Sequence, residues 1–213
     1  MAKLTTTSYV ILGALTSRDW SAYELAEQVG RGLSDLWSGE VRQRYEAPKR
    51  LVELGLATAR SETIGPERAR TVYSITDAGR AALGDWLAEP PRPLAIQFEG
   101  MVRVLVADQG TVADLRQNLE AIGAHAHEAR ARYAAYAGYL LATGGTFPEK
   151  VHTMTLANRF MIAHLTTIVD WSEWARAEVA TWSDTKAGAP DQVERTREIL
   201  ESALAFAPAP PPT

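Results

Sequence analysis

The sequence predicts a mainly α-helical protein with a small β-ribbon, an N-terminal winged helix-turn-helix followed by a C-terminal helical domain. Three observations carry this expectation. Between Trp37 and Trp86 a helix-like segment, two strand-like segments and a further helix follow one another, which is the order of a winged helix. After residue 110, apolar or small side chains recur at alternating steps of four and three, the spacing of a helix-packing seam. Between these regions the cluster Pro90-Pro91-Arg92-Pro93 ends a helix and separates two folding units.

The elements follow in order. Residues 5–16 read as a first helix with Tyr9, Leu12 and Leu15 on one face, and Ser21 is placed to cap a second helix running to about Val29. A third helix spans about Glu40 to Leu54, with apolar positions at Val41, Tyr45 and Leu51, and stops at Gly55, a residue suited to the left-handed position after a helix. Ala57–Ile64 and Thr71–Ile75 are strand-like, with a turn at Gly65-Pro66-Glu67-Arg68 between them. Thr76 caps a fourth helix through Ala81, Leu83, Trp86 and Leu87.

Beyond the prolines, a helical stretch covers about Ile96–Val106 and breaks at Gly110. The four-three stripe then comprises Leu115, Leu119, Ile122, Ala126, Ala129, Tyr133, Tyr136 and Leu140. Sustained over three heptads, it is expected to join two copies of the chain, with packing inside one chain as the alternative. Gly144-Gly145 turns the chain, Pro148 suits a first helical turn, and a long helix follows to about Trp182. That helix carries two apolar faces, one of them with Phe160, His164, Trp171 and Trp174; two coated faces require two partners, and these four side chains are the candidate effector pocket. A short charged helix is expected over 191–204, before the proline-rich tail. The expected divisions are 1–88 for the winged helix, 89–110 for a linker and connecting helix, 111–205 for the helical domain and 206–213 for a disordered tail.

Composition narrows the function. With 213 residues and 46% hydrophobic content the chain can bury a core, and zero cysteines exclude disulfides, thiolate metal sites and cysteine nucleophiles. No uncharged apolar run approaches membrane-spanning length, so a cytoplasmic protein without membrane contact is expected. The net charge of −4 hides a local excess of three positive charges over residues 42–70. A basic docking face on an acidic protein is compatible with phosphate contact.

The third helix is the strongest functional element, because Arg42, Gln43, Tyr45, Glu46 and Lys49 cluster on its N-terminal half. Arginine can fork onto guanine and glutamine can pair with adenine, while lysine and a tyrosine hydroxyl reach phosphates. Arg68 and Arg70 at the wing tip, with Tyr73 on the return strand, are placed for backbone or minor groove. Pro48 inside the helix removes a hydrogen bond to the Arg44 carbonyl, so the helix either bends or begins later. An enzyme is not expected: His125 and His127 are two apart on a helix, there is no H-E-x-x-H or G-x-S-x-G run, and no phosphate-binding glycine loop. No metal, cofactor or catalytic residue is assigned. A protein-interaction adaptor on a winged-helix scaffold is the competing class.

These residues resemble the PadR family of bacterial transcriptional regulators, in the branch with a long helical C-terminal domain. Tyr9-Val10-Ile11-Leu12-Gly13-Ala14-Leu15 is similar to its opening helix, and Ser21-Ala22-Tyr23-Glu24-Leu25 to its second-helix entry. Trp37, Gln43, Tyr45, Arg50-Leu51 and Gly55-Leu56 follow its recognition-helix spacing, and Tyr73-Ser74-Ile75-Thr76-Asp77-Ala78-Gly79-Arg80 resembles the phrase that closes its wing. Trp171-Ser172-Glu173-Trp174 is a weaker similarity. Two positions depart from the family pattern, which has an apolar residue at Arg44 and a leucine at Pro48. The resemblance implies a homodimer joined by C-terminal helices that binds palindromic promoter DNA as a repressor, reads half-sites about one helical turn apart, and is released by a small aromatic or cationic compound or another signal. It adds Ser21 and Tyr23 to the expected DNA contacts.

Overall fold

The computed structural model describes residues 4–33, 35–36, 41–64, 68–186 and 190–206. The chain divides into two units between Leu94 and Ala95. In the first, α1 (Thr6–Leu15) opens where the Thr5 hydroxyl accepts the Ser8 amide at 3.2 Å. A two-residue strand β1 (Trp20–Ser21) leads into α2 (Ala22–Leu33). Ser21 and Glu24 cap that helix reciprocally: the Ser21 amide donates to the Glu24 carboxylate at 2.8 Å and the Glu24 amide to Ser21 Oγ at 3.3 Å.

The third helix, α3 (Val41–Glu53), runs through Pro48 without interruption. Arg44, Ala47, Pro48 and Leu51 share its inner stripe, and Pro48 and Leu51 are buried completely. Gly55 ends it at φ 72°, with the Leu56 amide on Leu51 O and the Gly55 amide on Val52 O, both at 2.9 Å. That double closure satisfies carbonyls the helix leaves open, and it favours glycine because φ is positive.

The ribbon β2 (Ala57–Ile64) and β3 (Arg68–Ile75) pairs antiparallel in full register from Ala57↔Ile75 to Ile64↔Arg68. β1 adds to the other side of β3 through Trp20↔Tyr73 and Ser21↔Val72, giving the order β1-β3-β2. Thr76 then caps α4 (Asp77–Ala88) through the Gly79 amide at 3.1 Å, while its own hydroxyl donates to Gly55 O at 2.8 Å. Gly79 lies against the backbone of Leu56, where a Cβ would stand 2.1 Å from the carbonyl oxygen. Ile11, Leu12, Leu15, Leu25, Val29, Leu51 and Val72 fill the core. Trp86 of α4 stacks on Tyr9 of α1 at 4.6 Å, which fastens the last helix to the first.

The second unit contains α5 (Glu99–Leu105), α6 (Val112–Thr143), α7 (Val151–Ala180) and α8 (Pro190–Ala203). Within the span expected as linker and connecting helix, α5 packs on α6: Asn118 Nδ2 donates to Gly100 O at 2.9 Å. Thr111 and Asp114 form a capping box on α6, and Gly144 ends it in the left-handed conformation. α6 and α7 are an antiparallel hairpin. Leu115, Leu119 and Ile122 pack with Ala175 and Val179, and Ala126 and Ala129 pack with Met161, Leu165 and Val169.

This corrects the expected dimer contact. Leu115, Leu119, Ile122, Ala126 and Ala129 are covered by α7 of their own chain, Tyr133 packs beside them, Tyr136 stacks on Tyr139 at 6.1 Å, and Leu140 is half-buried. Steps of four and three encode a seam between helices but not whether the second helix belongs to the same copy. Arg116 Nη2 donates to the carbonyls of Val179 and Ala180 at 3.0 and 2.9 Å, closing the end of α7 with a cation at its negative pole. Arg195 of α8 pairs with Glu178 of α7 at 2.5 Å.

Candidate nucleic-acid interface

Helical periodicity sorts α3 into two faces. With Arg44, Ala47, Pro48 and Leu51 turned inward, Arg42, Gln43, Tyr45, Glu46, Lys49 and Arg50 are left in solvent. Arg42 and Lys49 supply charge, Gln43 supplies both donor and acceptor, and the tyrosine presents a hydroxyl at the end of a 42% exposed side chain. Tyr23, at the entry of α2, is 66% exposed. Trp37 and the turn Gly65-Pro66-Glu67 lie outside the described residues, as does the side chain of Arg68, whose backbone opens β3.

Several charges among the described residues of this unit are paired. Arg42 Nε donates to Glu46 at 2.6 Å and Arg50 to Glu53 at 2.7 Å. Arg70 on the ribbon donates to Glu62 at 2.8 Å, with Glu24 at 3.7 Å. Arg60 bridges to Asp19 at 2.5 Å and holds that carboxyl below its ordinary range. The Ser21 amide and hydroxyl hold Glu24 low in the same way. All these pairs are solvent-exposed to a large degree, so each holds weakly and opens readily to a competing anion.

Two expected contacts do not reach the surface. Ser21 is buried, with its hydroxyl engaged by Glu24. Tyr73 is 4% exposed against Trp20, and burial raises its phenol above the ordinary pKa. Both side chains are turned in by β1, whose pairing to β3 buries the strand entry of α2. Glu24, set three residues after Ser21 in the S-x-x-E spacing of a capping box, was not among the expected site residues; it ties the cap of α2 to the ribbon arginine.

Arg44 occupies an inner-stripe position and is half-buried. Its guanidinium lies over Gly30 of α2, where a Cβ would meet Nη1 at 2.8 Å. A glycine on α2 thus makes room for an arginine where an apolar side chain would otherwise fill the α2–α3 contact.

In the second unit, Phe160 and His164 stack on α7 with ring centroids 5.9 Å apart, and Trp174 lies further along the helix. Phe160 is 51% and Trp174 42% exposed, whereas Trp171 packs against the Leu115 cluster. The four do not enclose a cavity; they are a stripe on one helix. A cleft of about 610 Å3 on this unit is lined instead by Arg116, Glu120, Glu173 and Arg176 with Ala177 and Ala180. Among the described residues no group of three metal-ligating side chains comes together, and no helix is long and apolar enough to cross a membrane.

Comparison with known proteins bears on the same region. The family described as the transcriptional regulator PadR-like family matches residues 11–85. The negative transcriptional regulator PadR of Bacillus subtilis is 31% identical over 96 residues, covering 45% of this chain and 53% of that protein. The chain thus spans about half the length of the curated relatives it matches. The fold is shared more widely. The crystal structure of Bacillus subtilis PadR in complex with operator DNA superposes with a TM-score of 0.71 at 22% identity, over 82% of this chain and 99% of that one. The same regulator in complex with p-coumaric acid gives 0.62 at 20% identity, over 84% and 100%. The family and these relatives are transcriptional regulators, not enzymes.

Proposed function

Because residues 11–85 match the PadR-like family, we propose that the chain is a sequence-specific DNA-binding transcriptional regulator, a repressor that acts as a homodimer in the cytoplasm. The observation that carries this reading is the outward face of α3, where Arg42, Gln43, Tyr45, Glu46 and Lys49 all stand in solvent above a buried inner stripe. With Tyr23 beside it and Arg68 and Arg70 on the ribbon, that face enters a major groove while the ribbon follows the backbone. Two copies read the halves of a palindromic promoter site about one helical turn apart.

A mobility-shift titration with DNA from upstream of the protein's own gene tests the reading. Arg42→Ala with Lys49→Ala removes two cations from the docking face and is expected to weaken binding at least tenfold and flatten its salt dependence. Equal binding by the variant and the parent refutes it.

The second copy docks on the outward face of α7, where Leu156 is 73% and Phe160 51% exposed. Leu156→Asp with Phe160→Asp is expected to give a folded monomer by light scattering; a dimer that survives both changes moves the interface elsewhere. A small aromatic effector is held over Phe160, His164, Trp171 and Trp174, the second copy supplying the wall that one helix lacks. Support comes from the relative solved with p-coumaric acid. Quenching of tryptophan fluorescence by p-coumaric acid, with release of DNA, is the expected response.

A further inference from the structure

Arg42 and Glu46 form an ion pair on the outward face of α3, with side chains 79% and 57% exposed. Helix stability does not account for it. The cation stands in the first turn and the anion one turn later, the orientation that the helix macrodipole disfavours. α3, like α1 and α7, carries no acid in its first turn, so Arg42 meets the positive end of the helix uncompensated there. The pair does have a consequence at a DNA surface. While closed it cancels the charge of Arg42, and when Arg42 turns to a guanine or a phosphate it leaves a bare carboxylate facing polyanionic DNA.

Such a carboxylate is tolerated where a base edge offers it a donor. In the major groove the matching donor is the cytosine amino group. The other charged groups near Glu46 on its helix are Lys49, drawn to phosphate, and Arg50, already engaged by Glu53. Residues four apart rise about 6 Å along a helix, close to two base-pair steps of about 3.4 Å. Resting on the DNA-binding reading above, we propose that Glu46 is a specificity-determining residue. On its proper site its carboxylate, released from Arg42, accepts from a cytosine about two base pairs from the Arg42 contact; on other DNA it repels the backbone.

Selection of sites from randomised duplexes by the full chain tests this. The parent should enrich a site with a fixed cytosine in each half. Glu46→Ala should enrich the same site with that position relaxed, the preference for cytosine over thymine there falling about tenfold, while its affinity for unselected duplexes rises. Glu53→Ala removes the same charge from the far end of α3 and should leave the selected site unchanged. A Glu46→Ala variant that keeps the cytosine preference overturns the proposal and leaves the DNA-binding reading standing. Relaxation of the same position by Glu53→Ala also overturns it, because the effect would then be one of net charge. If the parent enriches no sequence, the DNA-binding reading falls and this proposal with it.

Discussion

Gly79 and Gly84 lie in the same helix, α4, and replacing each with alanine should move stability in opposite directions. At Gly79 the added Cβ would stand 2.1 Å from Leu56 O and 2.9 Å from Ile75 Cγ1. The Leu56 peptide, which accepts the Thr76 amide at 3.2 Å, must retreat by about 1 Å to relieve that overlap. The first turn of α4 is gripped by the Thr76 cap and cannot move away freely. Overpacking of this kind costs about 1–3 kcal/mol, and disturbing the cap and its neighbouring hydrogen bond costs about 1 kcal/mol each. Against this stands about 1 kcal/mol of helix propensity gained by alanine. The net expectation for Gly79→Ala is a loss of about 3 kcal/mol. At Gly84 nothing lies within 4 Å of the added Cβ, so only the propensity gain applies, about 1 kcal/mol in favour. Urea unfolding read by hydrogen exchange of residues 77–88 isolates α4 from the second unit. Gly79→Ala should lower the midpoint by about 1–3 M and Gly84→Ala should raise it slightly. A Gly79→Ala protein as stable as its parent, or equal losses from both changes, would refute the close-packing argument.

Leu119 is 1% exposed at the centre of the α6–α7 seam, so Leu119→Ala should cost about 3 kcal/mol in denaturant unfolding, whereas Leu141→Ala, at 90% exposure, should change it by less than about 0.5 kcal/mol. Acid should loosen the first unit. The Arg60 hydrogen bond holds Asp19, and the Ser21 amide and hydroxyl hold Glu24, below ordinary values near 3.8 and 4.5. A carboxylate with a depressed folded-state pKa contributes stability that is present above its unfolded value and lost as pH falls towards the folded one. The urea midpoint of the first unit should therefore hold from neutrality to about pH 5 and decline below it. Glu24→Gln should flatten that decline; an unchanged slope would remove Glu24 from the account.

Much of the local structure was legible in the sequence because its causes are local. Thr76 announces a helix start through a hydroxyl that reaches an amide three residues on, and Gly55 announces a helix end through a positive φ that other residues resist. The period of 3.6 also separates Pro48 and Leu51 from Arg42, Gln43 and Glu46, so the exposed face of α3 could be read before its packing was known. Other features depend on what a segment meets. β1 is two residues long and exists only because β3 passes beside it, and that pairing turns Ser21 and Tyr73 inward. Arg44 fits the inner stripe of α3 only because Gly30 lies opposite. The stripe from Leu115 to Ala129 was unmistakable as a buried seam, yet the hairpin alone decided that its partner is α7 of the same chain. A periodic sequence specifies that a face will leave water; the identity of the surface that covers it is a property of the folded chain.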